Sequence, residues 1–208
     1  MADQVFPTKG NLLTTKKSLA LATLGYDLLD RKRNILIREM MLLINTAKSI
    51  RGSIEDTYKE AYQALQNANI TLGMSSVSNI ADSVPIETGV NVSYRSVMGV
   101  EIPKITIAEA PLKLNYGFYK TNSQLDIANI CFDKVKKLTV VLAEVENSIF
   151  RLANAIKKTQ SRANALKNII IPRFEEVVKF IANSLEEKER EDFSRLKVIK
   201  AQKLKKNA

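Results

Sequence analysis

From Leu125 to Ile170 one stripe of residues recurs at intervals of three or four. It runs Leu125, Ala128, Cys131, Val135, Leu138, Leu142, Val145, Ile149, Leu152, Ile156, Thr159, Ala163, Leu166, Ile170, and every member but Thr159 is apolar or cysteine. An α-helix turns once in 3.6 residues, so this spacing holds a single apolar stripe toward a partner helix over about six heptads. That pattern is a coiled-coil seam. The stripe continues through Phe174, Val177, Ile181 and Leu185, with two four-residue steps meeting at Ile170. A coiled coil needs a second helix, and the N-terminal third supplies one.

No proline lies between Pro7 and Pro85, and Leu36, Met40, Leu43, Ala47, Ile50 and Ile54 repeat the seam spacing. After an extra four-residue step it resumes at Tyr58, Ala61, Leu65, Ala68 and Leu72. Thr8 or Asn11 suits the start of this helix and Gly73 its stop. Extra four-residue steps of this kind locally unwind a left-handed supercoil.

The residues between the helices change period. Val90, Val92 and Tyr94 alternate with polar neighbours, as do Met98, Val100 and Ile102 around Gly99. After Pro103 the phase moves to Ile105 and Ile107, and Leu112, Leu114, Tyr116 and Phe118 alternate again. Period-two patterning bounded by Gly and Pro predicts short strands and a β-hairpin. Ser75 to Val84 reads as a loose polar connection. The predicted fold is mainly α: a long antiparallel two-helix coiled-coil hairpin with a small β-hairpin-like middle segment. It forms a single elongated domain over 1–208, with helix one at about 10–72, the middle at about 74–121 and helix two at about 122–200. Facing residues then have numbers summing to roughly 195, and 89–118 falls at the end opposite the chain termini.

Charge distribution narrows the function classes. The formal net charge of +10 resolves into +4 over residues 1–38, −2 over 39–149 and +8 over 150–208. Antiparallel helices would bring both basic ends to one tip. Clustered Lys and Arg fit either the phosphates of a nucleic acid or a protein wall of opposite potential. Tyr26 and Phe193 stand alone beside these clusters, so base-stacking aromatics are not interleaved with them.

Catalytic chemistry is hard to place. The chain has no His, one Cys and no GxxxxGKS or GxxxxGKT phosphate loop. Neither a zinc-ligand set nor a His-based triad can be assembled from it. The carboxylates of "EEKERED" (186–192) alternate with cations and read as a solvated face. Cys131 sits on the seam and reads as a core thiol, and a lone cysteine fits a reducing compartment. The longest apolar cluster, Met40 to Ile44, falls far short of the ~20 residues of a membrane span. The expectation is a cytoplasmic, non-catalytic chain with no cofactor and no metal.

Three stretches carry a family resemblance. "FPTKGNLLTTKKSLALATLGYDLLDRKRNILI" (6–37) resembles the N-terminal signature of the D subunit of V-type and A-type rotary ATPases, and "MGVEIP" (98–103) its mid-chain segment. "RANALKNIIIPRFEEVVKFIANSLEEKEREDFSRLKVIK" (162–200) resembles its C-terminal signature, Pro172 included. The resemblance implies the central rotor axle of the ATPase, transmitting torque between an ATP-hydrolysing hexamer and a membrane ring that transports protons or sodium. It implies as partners the catalytic and nucleotide-binding subunits, the small F subunit of the stalk and a socket subunit leading to the ring. The complex would be peripheral to the membrane, with no nucleic acid bound and no span contributed by this chain. On that reading Arg31, Lys32, Arg33, Arg195, Lys197 and Lys200 contact the hexamer, and Met98, Val100 and Ile102 contact the lower stalk. The alternative is a free-standing basic coiled-coil hairpin that binds nucleic acid.

Pro172 is the one residue at odds with its own helix. A proline inside a helix loses a backbone donor and clashes with the carbonyl four residues earlier, at about 3 kcal/mol. Gly25, itself ~1 kcal/mol unfavourable relative to Ala, falls near the same level of the hairpin. The expectation is a kink at Pro172 packed closely against the bare backbone of Gly25.

Overall fold

A computed structural model of the chain describes residues 6–84, 89–107, 116–117, 119 and 121–206, with 204–206 described by backbone alone. Helix α1 spans Lys9–Leu72 and α2 Met74–Ala81, followed by strands β1 (Val90–Val97) and β2 (Val100–Ile107). Helix α3 spans Ser123–Ala165, a π-helical turn occupies Leu166–Ile170, and α4 spans Ile171–Lys206. The fold is mainly α, with long N- and C-terminal helices and a small antiparallel hairpin between them, as the seams and the alternation predict. The alternation at Leu112, Leu114 and Phe118 lies outside the described residues.

The ends of α1 have local causes. The Asn11 amide donates to Thr8 Oγ1 at 3.2 Å, and Asn11 Nδ2 reaches back to the Phe6 carbonyl at 2.9 Å. The first of these bonds satisfies a donor that the first turn leaves without a helical partner, and the second ties down the chain that enters it. At the far end Gly73 adopts φ +84°, a left-handed conformation that glycine takes without penalty, and its amide closes on Asn69 at 3.0 Å.

The helices, strands and turns fall into two compact units, residues 1–33 with 157–208 and residues 34–156. In the second unit α1 and α3 run antiparallel. Arg51 meets Glu146 at 2.7 Å, the Tyr62 ring stands edge-on to Phe132 at 5.7 Å, and Ala68 packs with Leu125. These pairs follow the facing-residue rule inferred from the helix ends. Seam residues Leu36, Ile54, Ala61, Ala68, Leu125, Ala128, Val135, Val145 and Leu152 are all buried.

Two clusters thicken this unit beyond two helices. At the turn end, Val77 of α2 is buried with Ala68 and Leu125, and Ile80 and Tyr116 pack against them. Ser75–Val84 is therefore not loose throughout. Val77 and Ile80 lie three residues apart on one face, which is enough to dock a short helix on the end of the seam. Burial, and then its hydrogen bond to Asp126 at 2.7 Å, push the Tyr116 hydroxyl up to about 12.

The second cluster corrects the placement of the hairpin. Ile102 is buried with Leu36 and Leu152, and Val97, Val100, Met40 and Ile156 pack around them. Leu36 lies 36 residues before the end of α1 at Leu72, or ~54 Å of helix. The hairpin thus docks on the side of the coiled coil and not at its turn end. Val97, Val100 and Ile102 share one face of the ladder at its turn end, and the seam flank at Leu36 and Leu152 covers them, while Val90, Val92 and Tyr94 lie on the other face. Its two-residue turn, Met98–Gly99, has φ of 51° and 75°, the left-handed pair that matches strand twist.

In the first unit α1 again runs antiparallel to the C-terminal helices. Arg33 donates to Gln160 at 2.9 Å, Gly25 faces Leu166, and Lys9 meets Glu189 at 3.0 Å. Thr159, Ala163 and Ile181 are buried along the seam. From Glu186 to Lys203 every residue is exposed.

Candidate interaction surfaces

The described residues contain no group of His, Cys, Asp or Glu side chains arranged to hold a metal, and no helix long and apolar enough to cross a membrane. What the fold positions are surfaces.

The basic residues do not form one patch. Arg31 is exposed and Lys32 half-buried. Arg33 turns inward, to Gln160 and to Asp30 at 2.6 Å, tying α1 to α3. Arg195 lies over Glu191 and Asp192 at 3.5 and 3.9 Å, Lys197 Nζ stands 5.0 Å from the Phe193 ring, and Lys200 is exposed. Lys9 already faces Glu189, so Arg31–Arg33 and Arg195–Lys200 are separated by roughly 24 residues of helix or more, ~36 Å. The expected single tip is instead two levels, because the C-terminal helix continues beyond the start of α1.

The middle-segment residues separate too. Met98 is exposed at the hairpin turn, Val100 is half-buried and Ile102 is 4% exposed. Ile102 is a core residue of the hairpin's own docking site and offers no contact to an outside partner.

Pro172 follows directly on the π-helical turn, whose closing bond runs from the Ile171 amide to the Leu166 carbonyl five residues back. A π turn holds one residue more than an α turn and shifts the carbonyls that the proline ring would otherwise strike. The doubled four-residue step at Ile170 marks the same place, and Ile170 is pushed out to 37% exposure. The similar step between Ile54 and Tyr58 produces no break, since α1 stays α-helical throughout. Gly25 sits opposite this turn, but a Cβ built there would lie 3.9 Å from Leu166 Cδ1, an ordinary van der Waals contact with room for a methyl group.

Sequence reasoning missed the residues that hold the hairpin. Glu144 accepts the Ile105 amide at 2.8 Å, and Arg151 donates to the Glu101 carbonyl at 3.3 Å while lying 5.3 Å from the Tyr94 ring centroid. Each precedes a seam residue by one position, and they are seven residues apart, hence on the same flank of α3. That spacing is a signal the sequence carries. An open apolar groove also runs between α1 and α3, lined by Ile44, Ala47, Ile149 and Phe150 and bounded by the Arg51–Glu146 pair.

Paired long helices with a hairpin docked on their flank define a coiled-coil protein that carries a small β-hairpin. Residues 11–201 match the family described as the ATP synthase D subunit. The chain is 44% identical to the V-type ATP synthase D subunit of Thermotoga neapolitana, covering 94% of this chain and 97% of that one. It is 40% identical to the A-type ATP synthase D subunit of Pyrococcus furiosus, covering 95% and 94%, and 39% identical to that of Methanobrevibacter smithii, covering 96% and 87%. The chain belongs to the ATP synthase D-subunit family.

Proposed function

We propose that this chain is the central rotor axle of a V-type or A-type rotary ATPase, transmitting torque without taking part in ATP chemistry. The observation that carries the reading is the collinear family match over residues 11–201, which takes in both seams and the hairpin. On this reading the chain lies on the cytoplasmic side of the membrane, as a peripheral part of the complex. It works with the catalytic and nucleotide-binding subunits of the hexamer, the small F subunit of the stalk and a socket subunit at the membrane ring.

An axle has to pass several equivalent wall positions in each turn, so strong directional contacts would trap it. Exposed cations on long side chains contribute little each and tolerate changing geometry. Arg31, Lys32, Arg195, Lys197 and Lys200 are the proposed hexamer contacts, and the exposed Met98 the proposed contact of the hairpin turn with the lower stalk. The π turn and Pro172 make the two helices of the first unit unequal, so rotation presents different surfaces to successive catalytic interfaces. The effect on nucleotide affinity is a coupling free energy between distant sites.

The test is single-molecule rotation. The hexamer is fixed to glass, a bead is attached to this chain, and ATP is added. Stepwise rotation is expected. ATP hydrolysis at full rate with the bead stationary would overturn the axle reading.

A further inference from the structure

The two edges of the hairpin are treated differently. The strands pair in an unbroken antiparallel register, with Val92 opposite Ile105 and Tyr94 opposite Pro103. Because the Ile105 amide points out to Glu144, Val92 and Ile105 form a non-hydrogen-bonded pair. Alternation along the ladder then turns the amides and carbonyls of Val92, Tyr94 and Ser96 outward, away from β2. On the β2 side the outward row is largely occupied. Glu144 takes the Ile105 amide, Arg151 serves the Glu101 carbonyl, and Pro103 has no amide to satisfy. On the β1 side the outward groups of Val92, Tyr94 and Ser96 have no hydrogen-bond partner among the described residues.

β1 also lacks most of the usual guards of an open edge, with Arg95 its one charged residue. It contains no proline, no lysine and no bulge, and its residues from Val90 to Ser96 are all exposed. An exposed edge of this kind is a template for one further strand. Its side chains sort by face. Val90, Val92 and Tyr94 lie on one face, while Asn91, Ser93 and Arg95 lie on the other, with Lys104 of β2 beside Ser93.

We propose that the outer edge of β1 receives an extended segment of another subunit of the ATPase complex, pairing as a third strand. The incoming strand carries apolar side chains against Val90, Val92 and Tyr94. On the other face it carries a carboxylate or polar side chain against Arg95. Main-chain hydrogen bonds supply the binding and alternate side chains the selectivity, as in other strand-addition complexes. The proposal rests on the reading of the chain as a subunit of that complex.

Residue-resolved hydrogen exchange on the full chain, alone and within the complex purified through a tag on another subunit, tests it. In the isolated chain the Ser93 and Arg95 amides should be protected, and those of Val92, Tyr94 and Ser96 should exchange rapidly. In the complex the latter three should slow at least about ten-fold. Val92→Pro removes one outward donor and leaves the inner ladder intact, since proline is tolerated at such edge positions. It should retain protection at Arg95 and lose the complex-dependent protection at Tyr94. Arg95→Glu, which alters no backbone group, should lower that protection as well, and it keeps the test decisive if the proline variant misfolds. A chain that assembles with Val92, Tyr94 and Ser96 exchanging as fast as when free overturns the pairing alone. A chain that never enters the complex overturns the subunit reading too. Protection that rises with concentration of the isolated chain assigns the edge to a second copy and also overturns the proposal.

Discussion

Residues 9–33 with 157–206 and residues 34–156 are built from the same kind of helix, yet they cover their seams to different extents. In residues 34–156 a third layer lies over both ends of the seam. The hairpin covers Leu36 and Leu152, and α2 covers Ala68 and Leu125. In the first unit the buried set is Thr159, Ala163 and Ile181, while Leu13, Leu21, Leu24, Leu28 and Phe180 remain exposed. Two helices share only one stripe each, so everything off that stripe faces outward unless another layer arrives.

Substitution at the hairpin cluster should have the largest effect. Leu152→Ala should destabilise the chain by about 3 kcal/mol, within the usual range for a fully buried leucine. Leu24→Ala in the first unit should change stability by less than about 0.5 kcal/mol. Urea unfolding followed by circular dichroism compares them, and equal costs would erase the distinction between the units.

Pro172→Ala comes next. Restoring an amide should stabilise the C-terminal helices by between about 1 and 3 kcal/mol. It should also convert 166–170 to α-helix, seen as new amide protection through that turn. If the π turn persists with alanine at 172, the doubled four-residue step causes it and the proline only follows. In rotation assays the alanine variant should step less evenly.

A smaller gain is expected at Gly25→Ala. The added methyl finds Leu166 at 3.9 Å, so removing glycine from a helix should stabilise by about 0.5–1 kcal/mol. A loss would mean that this level of the pair is tighter than its geometry indicates.

The α2 docking site should respond to alkali. The Tyr116 hydroxyl is held neutral in the fold, its pKa raised from 10.0 to about 12. Its contribution is fully present below pH 10 and is lost as pH rises through about 12. Thermal melts of Tyr116→Phe and the unmodified chain should converge across that window, and parallel curves would remove Tyr116 from the account. Smallest of all, Lys9→Ala breaks an ion pair between two well-exposed side chains and should cost no more than about 0.3 kcal/mol.

Much of this fold is legible in one dimension because coiled coils are. Seam positions from Leu36 to Leu72 and from Leu125 to Leu166 follow from periodicity, and Thr8 and Gly73 mark the helix ends through purely local chemistry. The irregularity at Leu166–Ile170 is only half local. The doubled step and Pro172 announce it, yet α1 absorbs a doubled step of its own without any break. The hairpin's strands and turn follow from alternation around Met98–Gly99. Its location does not, because the residues it packs on the helices, Val97, Val100 and Ile102, lie on the face opposite the alternating Val90, Val92 and Tyr94. The same holds for Val77 and Ile80, three residues apart in a stretch that otherwise reads as linker.

The interaction surfaces divide along the same line. Sequence alone determined that positive charge concentrates toward the chain ends and that no GxxxxGKS or GxxxxGKT phosphate loop is present. The tertiary structure decided that Arg33 is spent on Gln160 and Asp30, that Ile102 lies inside, and that the basic clusters stand at separate levels. It also decided that Glu144 and Arg151 close one edge of the hairpin and leave the other open. Helix and strand periods are properties of neighbouring residues, so a chain carries them in its order. Which distant side chains become neighbours depends on the register of packed helices, and that exists only once the chain has folded.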